Sequence, residues 1–186
     1  MDDIASKLAA RLKQERDRRG WSLAELATRA RVSAGMISKI ERAVASPTAA
    51  VLGRLSGAFG LTLSTLLEGV DPQASRLSRR AGQPVWLDPA TKYRRRSLSP
   101  ATGGPLQLVE ITLPPGASVA YPAAAYEFLH QQVWILAGLL QLTEGTIVHE
   151  LAERDCLEFG PACDHVFANP GAEPCRYLVA LVTRGG

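Results

Sequence analysis

Cysteine is scarce in this sequence, which contains only Cys156, Cys163 and Cys175. An odd number without a C-x-x-C pair indicates neither a disulfide framework nor a zinc ribbon. No apolar run approaches the length of a membrane span, and residues 1–3 are acidic, unlike the basic start of a signal peptide. We therefore expect a cytoplasmic protein that has no membrane segment.

The charge of the chain is unevenly distributed along its 186 residues, a length that suits one large domain or two small ones. Residues 1–82 hold fourteen Lys or Arg against eight Asp or Glu, whereas residues 83–186 hold seven against ten. A basic surface can neutralise phosphates and release counterions, although a basic surface alone is more often merely solvated. The first half is therefore the candidate for nucleic-acid binding.

The first half has the apolar spacing and capping residues of five short helices. Ile4, Leu8 and Leu12 form an apolar stripe over 4–19. Ser22 with Glu25 is a capping box, and Ser33 is a second N-cap before the next apolar face. The segment 29–32 between them has room only for a tight turn. A fourth helix is predicted from 46–48 to a stop at 60, and a fifth from 62 to 69.

The stretch 21–60 resembles the helix-turn-helix of the phage-repressor or XRE family. The matching residues are S-L-A-E-L-A at 22–27, V-S-A-G-M-I-S-K-I-E-R at 32–42, S-P-T at 46–48 and L-x-x-L-x-x-A-F-G-L at 52–61. In this family the second helix of the pair enters the major groove. The resemblance also implies a partly buried pair between Arg16 and Glu41. It implies DNA contacts for Ser22, Ser33, Ala34, Gly35, Met36, Ser38, Lys39 and Arg42.

The chain departs from the family at positions that often carry Gln, where it has Leu23, Ala34 and Gly35. Fewer bidentate base contacts are then available, which leaves Lys39 as the best candidate for contacting base edges. Part of the specificity would come from the shape of the DNA. The alternative is a helical bundle that has no nucleic-acid role.

Short apolar or alternating runs separated by turn residues begin at residue 85. They predict an all-β sandwich or barrel after an all-α domain. We predict a helix-turn-helix domain at 1–69, a linker at 70–84 and a β domain at 85–186. The run 93–96, Y-R-R-R, is interpreted as a solvated strand edge; the alternatives are contact with phosphate, with an anionic effector or with acidic residues of a second subunit.

The second half resembles the cupin family, a small jelly-roll barrel. The matching residues are P-P-G at 114–116, Q-V-W-I-L-A-G-L-L-Q-L at 132–142, R-D-C-L-E-F at 154–159 and H-V-F-A-N-P-G at 165–171. Metal-binding cupins supply two His, a Glu and a distant His. Here Gln131 stands at the Glu position and A-A-Y-E at 124–127 replaces the paired His, so only His165 matches. We therefore expect no metal and no cofactor.

A pocket without metal can still select a small molecule by aromatic walls and a few polar groups. A carboxylate among them would receive a cationic ligand group. A barrel that serves only to pair two subunits is the alternative. The pocket candidates are Tyr121, Tyr126, Glu127, Gln131, Trp134 and His165.

These features predict a DNA-binding transcriptional regulator, not an enzyme, with no catalytic residues. Its expected partners are double-stranded DNA carrying a palindromic operator, a small-molecule effector and a second copy of the chain in a homodimer. The chief alternative is a metal-dependent cupin enzyme, oxidative or isomerising, with a structural helix-turn-helix head. A further alternative is an antitoxin-like partner of another protein.

Overall fold

A computed structural model describes residues 3–71 and 73–183. Met1, Asp2, Pro72 and residues 184–186, which fall in the predicted domains and linker, lie outside the described residues. Among the described residues, no helix is both long enough and apolar enough to cross a lipid bilayer.

Five helices occupy the first part of the chain, as the sequence predicts: α1 (Asp3–Arg18), α2 (Leu23–Ala30), α3 (Ala34–Glu41), α4 (Ala49–Phe59) and α5 (Leu63–Glu68). Thr48 and Thr62 cap α4 and α5, and Gly60 ends α4 in the left-handed conformation. The helix α2 continues to Ala30, further than predicted, because Arg31 supplies a left-handed cap with φ 52°.

Ten antiparallel strands follow: β1 (Val85–Leu87), β2 (Arg94–Ser97), β3 (Leu106–Leu113), β4 (Ser118–Tyr121), β5 (Leu129–Ala137), β6 (Leu140–Glu144), β7 (Ile147–Leu151), β8 (Cys156–Glu158), β9 (His165–Ala168) and β10 (Cys175–Thr183). They form a six-stranded sheet, in the order β1-β2-β3-β10-β5-β8, and a four-stranded sheet, in the order β4-β9-β6-β7. Short 3-10 turns lie at Arg80–Gly82 and Ala123–Ala125. The all-α and all-β parts confirm the predicted fold class.

The strand β2 corrects the interpretation of the Y-R-R-R run as a solvated edge. It is hydrogen-bonded on both sides, to β1 and β3, and its burial alternates. Tyr93 and Arg95 are 2% and 7% exposed, because successive side chains of a strand point to opposite faces. The arginine run thus brings one charged side chain into the barrel interior.

The helices pack directly on the barrel, and one hydrophobic core runs through both. Asp88, which is 1% exposed, accepts a 2.8 Å hydrogen bond from the backbone N–H of Ala49 at the start of α4. A negative charge at a helix N-terminus is favourable, so the barrel caps a helix of the head. Thr62 donates a 2.8 Å hydrogen bond to Gln107 at a second point of contact.

Candidate nucleic-acid interface and ligand cavity

The pair α2 and α3 is set by two serine caps and a three-residue turn. The N–H of Ser22 donates to the Glu25 carboxylate at 2.7 Å, and the N–H of Glu25 donates to Ser22 Oγ at 3.2 Å, which completes the capping box. These hydrogen bonds lower the pKa of Glu25. Ser33 Oγ accepts from the N–H of Met36 at 3.2 Å. Both helix starts are thus fixed by local hydrogen bonds.

The helix α3 buries one side and exposes the other. Ile37 and Ile40 are 0% and 1% exposed and hold the helix against the core of the head. Ser33, Gly35, Met36, Lys39 and Arg42 are exposed, Ala34 and Ser38 are half-buried, and Ser22 is exposed at the start of α2. The exposed side combines two cations with small and apolar groups, a composition suited to phosphates and base edges.

Arg16 and Glu41 brace α3 against α1, as the family resemblance implied. Arg16 Nε and Nη2 donate to the two carboxylate oxygens of Glu41 at 2.7 and 2.9 Å. The side chains are only 12% and 8% exposed. The hydrogen bonds to Glu41 raise the pKa of the Arg16 guanidinium, while burial opposes them. This bidentate pair fixes the angle at which α3 is presented.

Sequence reasoning missed the stacking of two arginines on aromatic rings of the head. The Arg29 guanidinium lies 4.4 Å from the centroid of the Trp21 ring, and Arg19 lies 5.0 Å from the centroid of Phe59. Such contacts join residues from different helices, so only the aromatic and basic composition hints at them. Arg19 is also paired with the Glu15 carboxylate at 2.6 Å, so its stacking on Phe59 belongs to a larger ion-pair network of the head.

A cavity of about 80 Å³ lies where α4 meets the open end of the barrel. The helical side contributes Gly53, Ser56 and Leu63. The barrel contributes apolar side chains and a smaller set of polar ones. The polar set consists of Tyr93, Arg95, Tyr121, Tyr126, Gln131 and Tyr177.

The tyrosines of the cavity are neutral hydrogen-bonding groups. Burial raises the pKa of Tyr121, Tyr126 and Tyr177 well above the usual range and also raises the pKa of Tyr93. The hydroxyls of Tyr93 and Tyr121 lie 3.0 Å apart. Around neutral pH these groups can therefore donate to a ligand without adding charge.

Three of the six predicted pocket residues line this cavity, and three do not. Tyr121, Tyr126 and Gln131 converge there. Glu127 is exposed beyond the 3-10 turn, and Trp134 is 46% exposed on the outer face of β5, because its neighbours Val133 and Ile135 point inward. His165 is also outside the cavity lining.

His165 fills the barrel interior and does not fit a metal centre. Its Nε2 lies 3.0 Å from Glu144 Oε1 and its Nδ1 lies 2.8 Å from the carbonyl oxygen of Cys163, so both ring nitrogens have partners. The rings of Tyr126 and Phe159 pack on it with centroids at 4.2 and 4.9 Å. Among residues 3–71 and 73–183, no group of three His, Cys, Asp or Glu side chains could hold a metal ion.

Each carboxylate oxygen of Glu144 lies 3.0 Å from a histidine Nε2: Oε1 from that of His165 and Oε2 from that of His149. His149 thereby joins a hydrogen-bonded network with Glu144 and His165. Burial, with the charges of Glu144 and Asp164, raises the pKa of the Cys163 thiol, so the thiol stays protonated. The cluster is a hydrogen-bonded core element.

The helices and the two β-sheets define a class of protein: a helix-turn-helix domain packed on an antiparallel β-barrel. Residues 12–66 match the helix-turn-helix family HTH_3. The first domain of this chain is a helix-turn-helix domain of the XRE type, and the second is a two-sheet β domain that resembles a cupin barrel.

Several known proteins resemble the chain. The HTH-type transcriptional regulator SutR of Escherichia coli (strain K12) is 40% identical over 67 residues, which are 36% of this chain and 38% of SutR. DdrOP3 of Deinococcus deserti, another HTH-type transcriptional regulator, is 37% identical over 65 residues, or 35% of this chain and 50% of DdrOP3. The matches thus span half or less of these curated relatives. The crystal structure of an HTH_3 family transcriptional regulator from Vibrio cholerae is 25% identical, with a TM-score of 0.78 over 96% of each chain.

Proposed function

We propose that this protein is a DNA-binding transcriptional regulator. Its α3 enters the major groove while the capped start of α2 meets the backbone. The observation that carries the proposal is the exposed face of α3, which holds Lys39 and Arg42 while Ile37 and Ile40 anchor the opposite face. The SutR, DdrOP3 and Vibrio cholerae proteins, all named as regulators, add support.

The proposed contacts divide into positioning and sequence-specific groups. Ser22, Ser33 and Arg42 contact phosphates, whereas Ala34, Gly35, Met36, Ser38 and Lys39 face base edges. Lys39 is the donor for guanine acceptors, and the Met36 and Ala34 side chains suit thymine methyl groups.

The barrel is proposed to pair two subunits and to receive a small-molecule effector. A two-fold dimer presents two copies of α3 about 34 Å apart, which matches successive major grooves on a palindromic operator. Trp134 supports pairing, because a large apolar side chain is 46% exposed on a regular sheet face beside Leu178 of β10.

The cavity beside α4 supports effector binding, and linkage then makes effector and DNA affinities depend on each other.

The DNA-binding proposal is tested with duplexes selected from a random pool by the purified protein. Lys39→Ala should weaken binding to the selected duplex by about 1–3 kcal/mol. Arg42→Ala should weaken binding to all duplexes and lower the slope of log affinity against log salt by about one. Fluorescence anisotropy at several salt concentrations measures both, with Arg94→Ala on the barrel surface as control. Equal losses on selected and random duplexes for both variants would contradict the assignment.

The pairing proposal is tested by sedimentation equilibrium. Trp134→Glu should shift the mass from dimer to monomer, because a charge buried in an interface is costly. Leu77→Glu, which changes an exposed leucine outside the sheet, should leave the mass unchanged. A monomeric wild-type protein would refute pairing.

A further inference from the structure

The cavity beside α4 has a single charged residue in its lining, Arg95. Its guanidinium is carried into the barrel by β2, and the residue is only 7% exposed. In the described part of the chain, no Asp or Glu oxygen lies within 4.0 Å of it. A buried cation without a paired anion is energetically costly, so an anionic partner is the missing element.

Arg95 uses only part of its hydrogen-bonding capacity, with Ser64 and Tyr93 as side-chain partners. Its Nη2 donates to Ser64 Oγ at 2.8 Å, whereas its buried Nε has no partner. The Glu68 carboxylate accepts a hydrogen bond from Ser97, and burial raises its pKa. It interacts with the Arg95 charge electrostatically but lies beyond 4.0 Å. The guanidinium thus retains donors for oxygen atoms of a ligand.

Gln131 supplies a second unpartnered donor in the same cavity. The residue is 9% exposed, and its buried Nε2 has no hydrogen-bond partner. Buried donors in folded proteins are nearly always paired, so two of them in one cavity lining indicate a ligand that accepts hydrogen bonds. Unpaired donors and the absence of any acidic lining residue together favour an oxyanion.

The size and remaining walls of the cavity restrict this ligand. A volume of about 80 Å³ is about half that of a cavity that binds benzene, and it corresponds to roughly three to five heavy atoms. Ile111, Val179 and Leu181 supply apolar surface beside Arg95 and Gln131. A short carboxylic acid, with an oxyanion at one end and a small apolar body, matches both properties.

The cavity also has a mechanical connection to the head through Tyr121. Its ring packs so closely on α4 that a Cβ built on Gly53 would lie 2.5 Å from Tyr121 Cδ1. Its hydroxyl lies 3.0 Å from that of Tyr93, next to Arg95 on β2. A ligand that shifts the Tyr121 ring must therefore also shift α4, since packed elements have little room to deform.

We propose that the cavity between α4 and the barrel binds a small organic carboxylate through Arg95 and Gln131, and that Tyr121 transmits its occupancy to α4. The inference rests on the proposed function for its regulatory half, because the shift of α4 changes the placement of α3 for DNA. It replaces the cationic ligand group that the sequence suggested through Glu127, since that side chain is exposed outside the cavity.

The test compares sodium propionate with propionamide, which has a similar shape and no charge, at matched ionic strength. Thermal unfolding of the full-length protein should shift upward by roughly 5–10 °C when propionate is near a hundredfold its dissociation constant. Propionamide should give no shift. Arg95→Gln should abolish the shift, Gln131→Leu should weaken propionate binding by about tenfold, and Arg94→Gln, on the exposed face of the same strand, should retain it.

The outcome separates the two halves of the inference. Equal shifts with propionate and propionamide, no shift up to 100 mM propionate, or an unchanged shift in a folded Arg95→Gln protein would each overturn the carboxylate site.

Affinity for the selected duplex should change at least fivefold on adding propionate in wild type, and not in Arg95→Gln. An unchanged affinity would overturn transmission through Tyr121. Propionate binding through Arg95 without any DNA binding would support the site and refute the proposed function.

Discussion

The head and the barrel each bury an arginine, and they surround it differently. Arg16 in the head has a bidentate carboxylate partner in Glu41, with both side chains less than 15% exposed. Arg95 in the barrel has hydroxyl partners in Ser64 and Tyr93 and an orphaned Nε. Both sites remove a cation from water, but among the described residues only the first arginine has a hydrogen-bonded carboxylate partner.

This difference separates a structural ion pair from a site that awaits a ligand. The Arg16 pair holds α3 at a fixed angle and needs nothing from outside. The Arg95 site is more costly in the absence of a ligand, and that cost would be offset when an anion binds. Buried charge is therefore informative about function only when its partners are counted.

Substituting one charged residue at each site, Glu41 in the head and Arg95 in the barrel, tests this difference most directly. Glu41→Ala leaves the largely buried Arg16 with only the exposed Asp17 as an ion-pair partner, so we expect a loss of about 3 kcal/mol in the free energy of unfolding. Arg95→Met removes a charge that has no carboxylate within 4.0 Å among the described residues, so stability should be unchanged or about 1–2 kcal/mol higher. Urea denaturation without added carboxylates measures both.

Asp17→Asn is the matched control for the head. Asp17 also lies 2.9 Å from Arg16, but its side chain is 46% exposed, and an exposed pair contributes little. We expect a change within about 0.5 kcal/mol. A loss on Arg95→Met as large as that on Glu41→Ala would show that the two arginines have the same structural role.

A smaller effect is expected where the head touches the barrel. Gly53→Ala places a methyl group against the Tyr121 ring, and we expect a loss of about 1–2 kcal/mol after the gain in helix propensity. Gly82→Ala, whose added Cβ would meet no atom within 4 Å, should change stability by less than about 0.5 kcal/mol.

A double variant distinguishes the Tyr121 contact from a general effect on α4. Tyr121→Ala removes the ring, so in that background Gly53→Ala should lose most of its cost. Urea denaturation of the four proteins of the cycle gives the coupling energy. Equal costs in both backgrounds would show that Gly53 and Tyr121 do not constrain each other.

Local patterns predicted the helices and most strands because capping, turn chemistry and apolar spacing act over a few residues. Ser22 and Ser33 were correctly identified as the caps of α2 and α3. The run Y-R-R-R was correctly taken as part of a strand, but its burial was missed because charge dominates the run and hides its alternation. Its inward side is visible only once β1 and β3 pair with it.

The ligand cavity was only half predictable. Tyr121, Tyr126 and Gln131 could be found from the resemblance to cupins, and they line one cavity from β4, the 3-10 turn and β5. The contribution of α4 depends on how the head docks, and no local pattern encodes that docking. The role proposed for Arg95 likewise depends on a count of its partners, which requires three-dimensional coordinates.

The smallest effect we predict concerns Glu68, which joins the end of α5 to Ser97 of β2. Burial raises its pKa above the usual value, against the opposing hydrogen bond from Ser97 and the charge of Arg95. The folded protein then holds this proton more tightly than the unfolded chain. Stability is therefore lost as pH rises from the ordinary carboxyl pKa, about 4.3, through the raised folded-state pKa.

Glu68→Gln should remove this part of the pH dependence, because the amide keeps a hydrogen-bonding group beside Ser97 and does not ionise. The measurement is the difference in unfolding midpoint between variant and wild type from pH 4 to pH 8. It should grow in favour of the variant as pH rises. Glu153→Gln, on an exposed carboxyl, should give a flat difference. A flat difference for Glu68→Gln as well would show that Arg95 compensates the Glu68 charge despite their separation, which would make the two buried arginines more alike than their hydrogen bonds indicate.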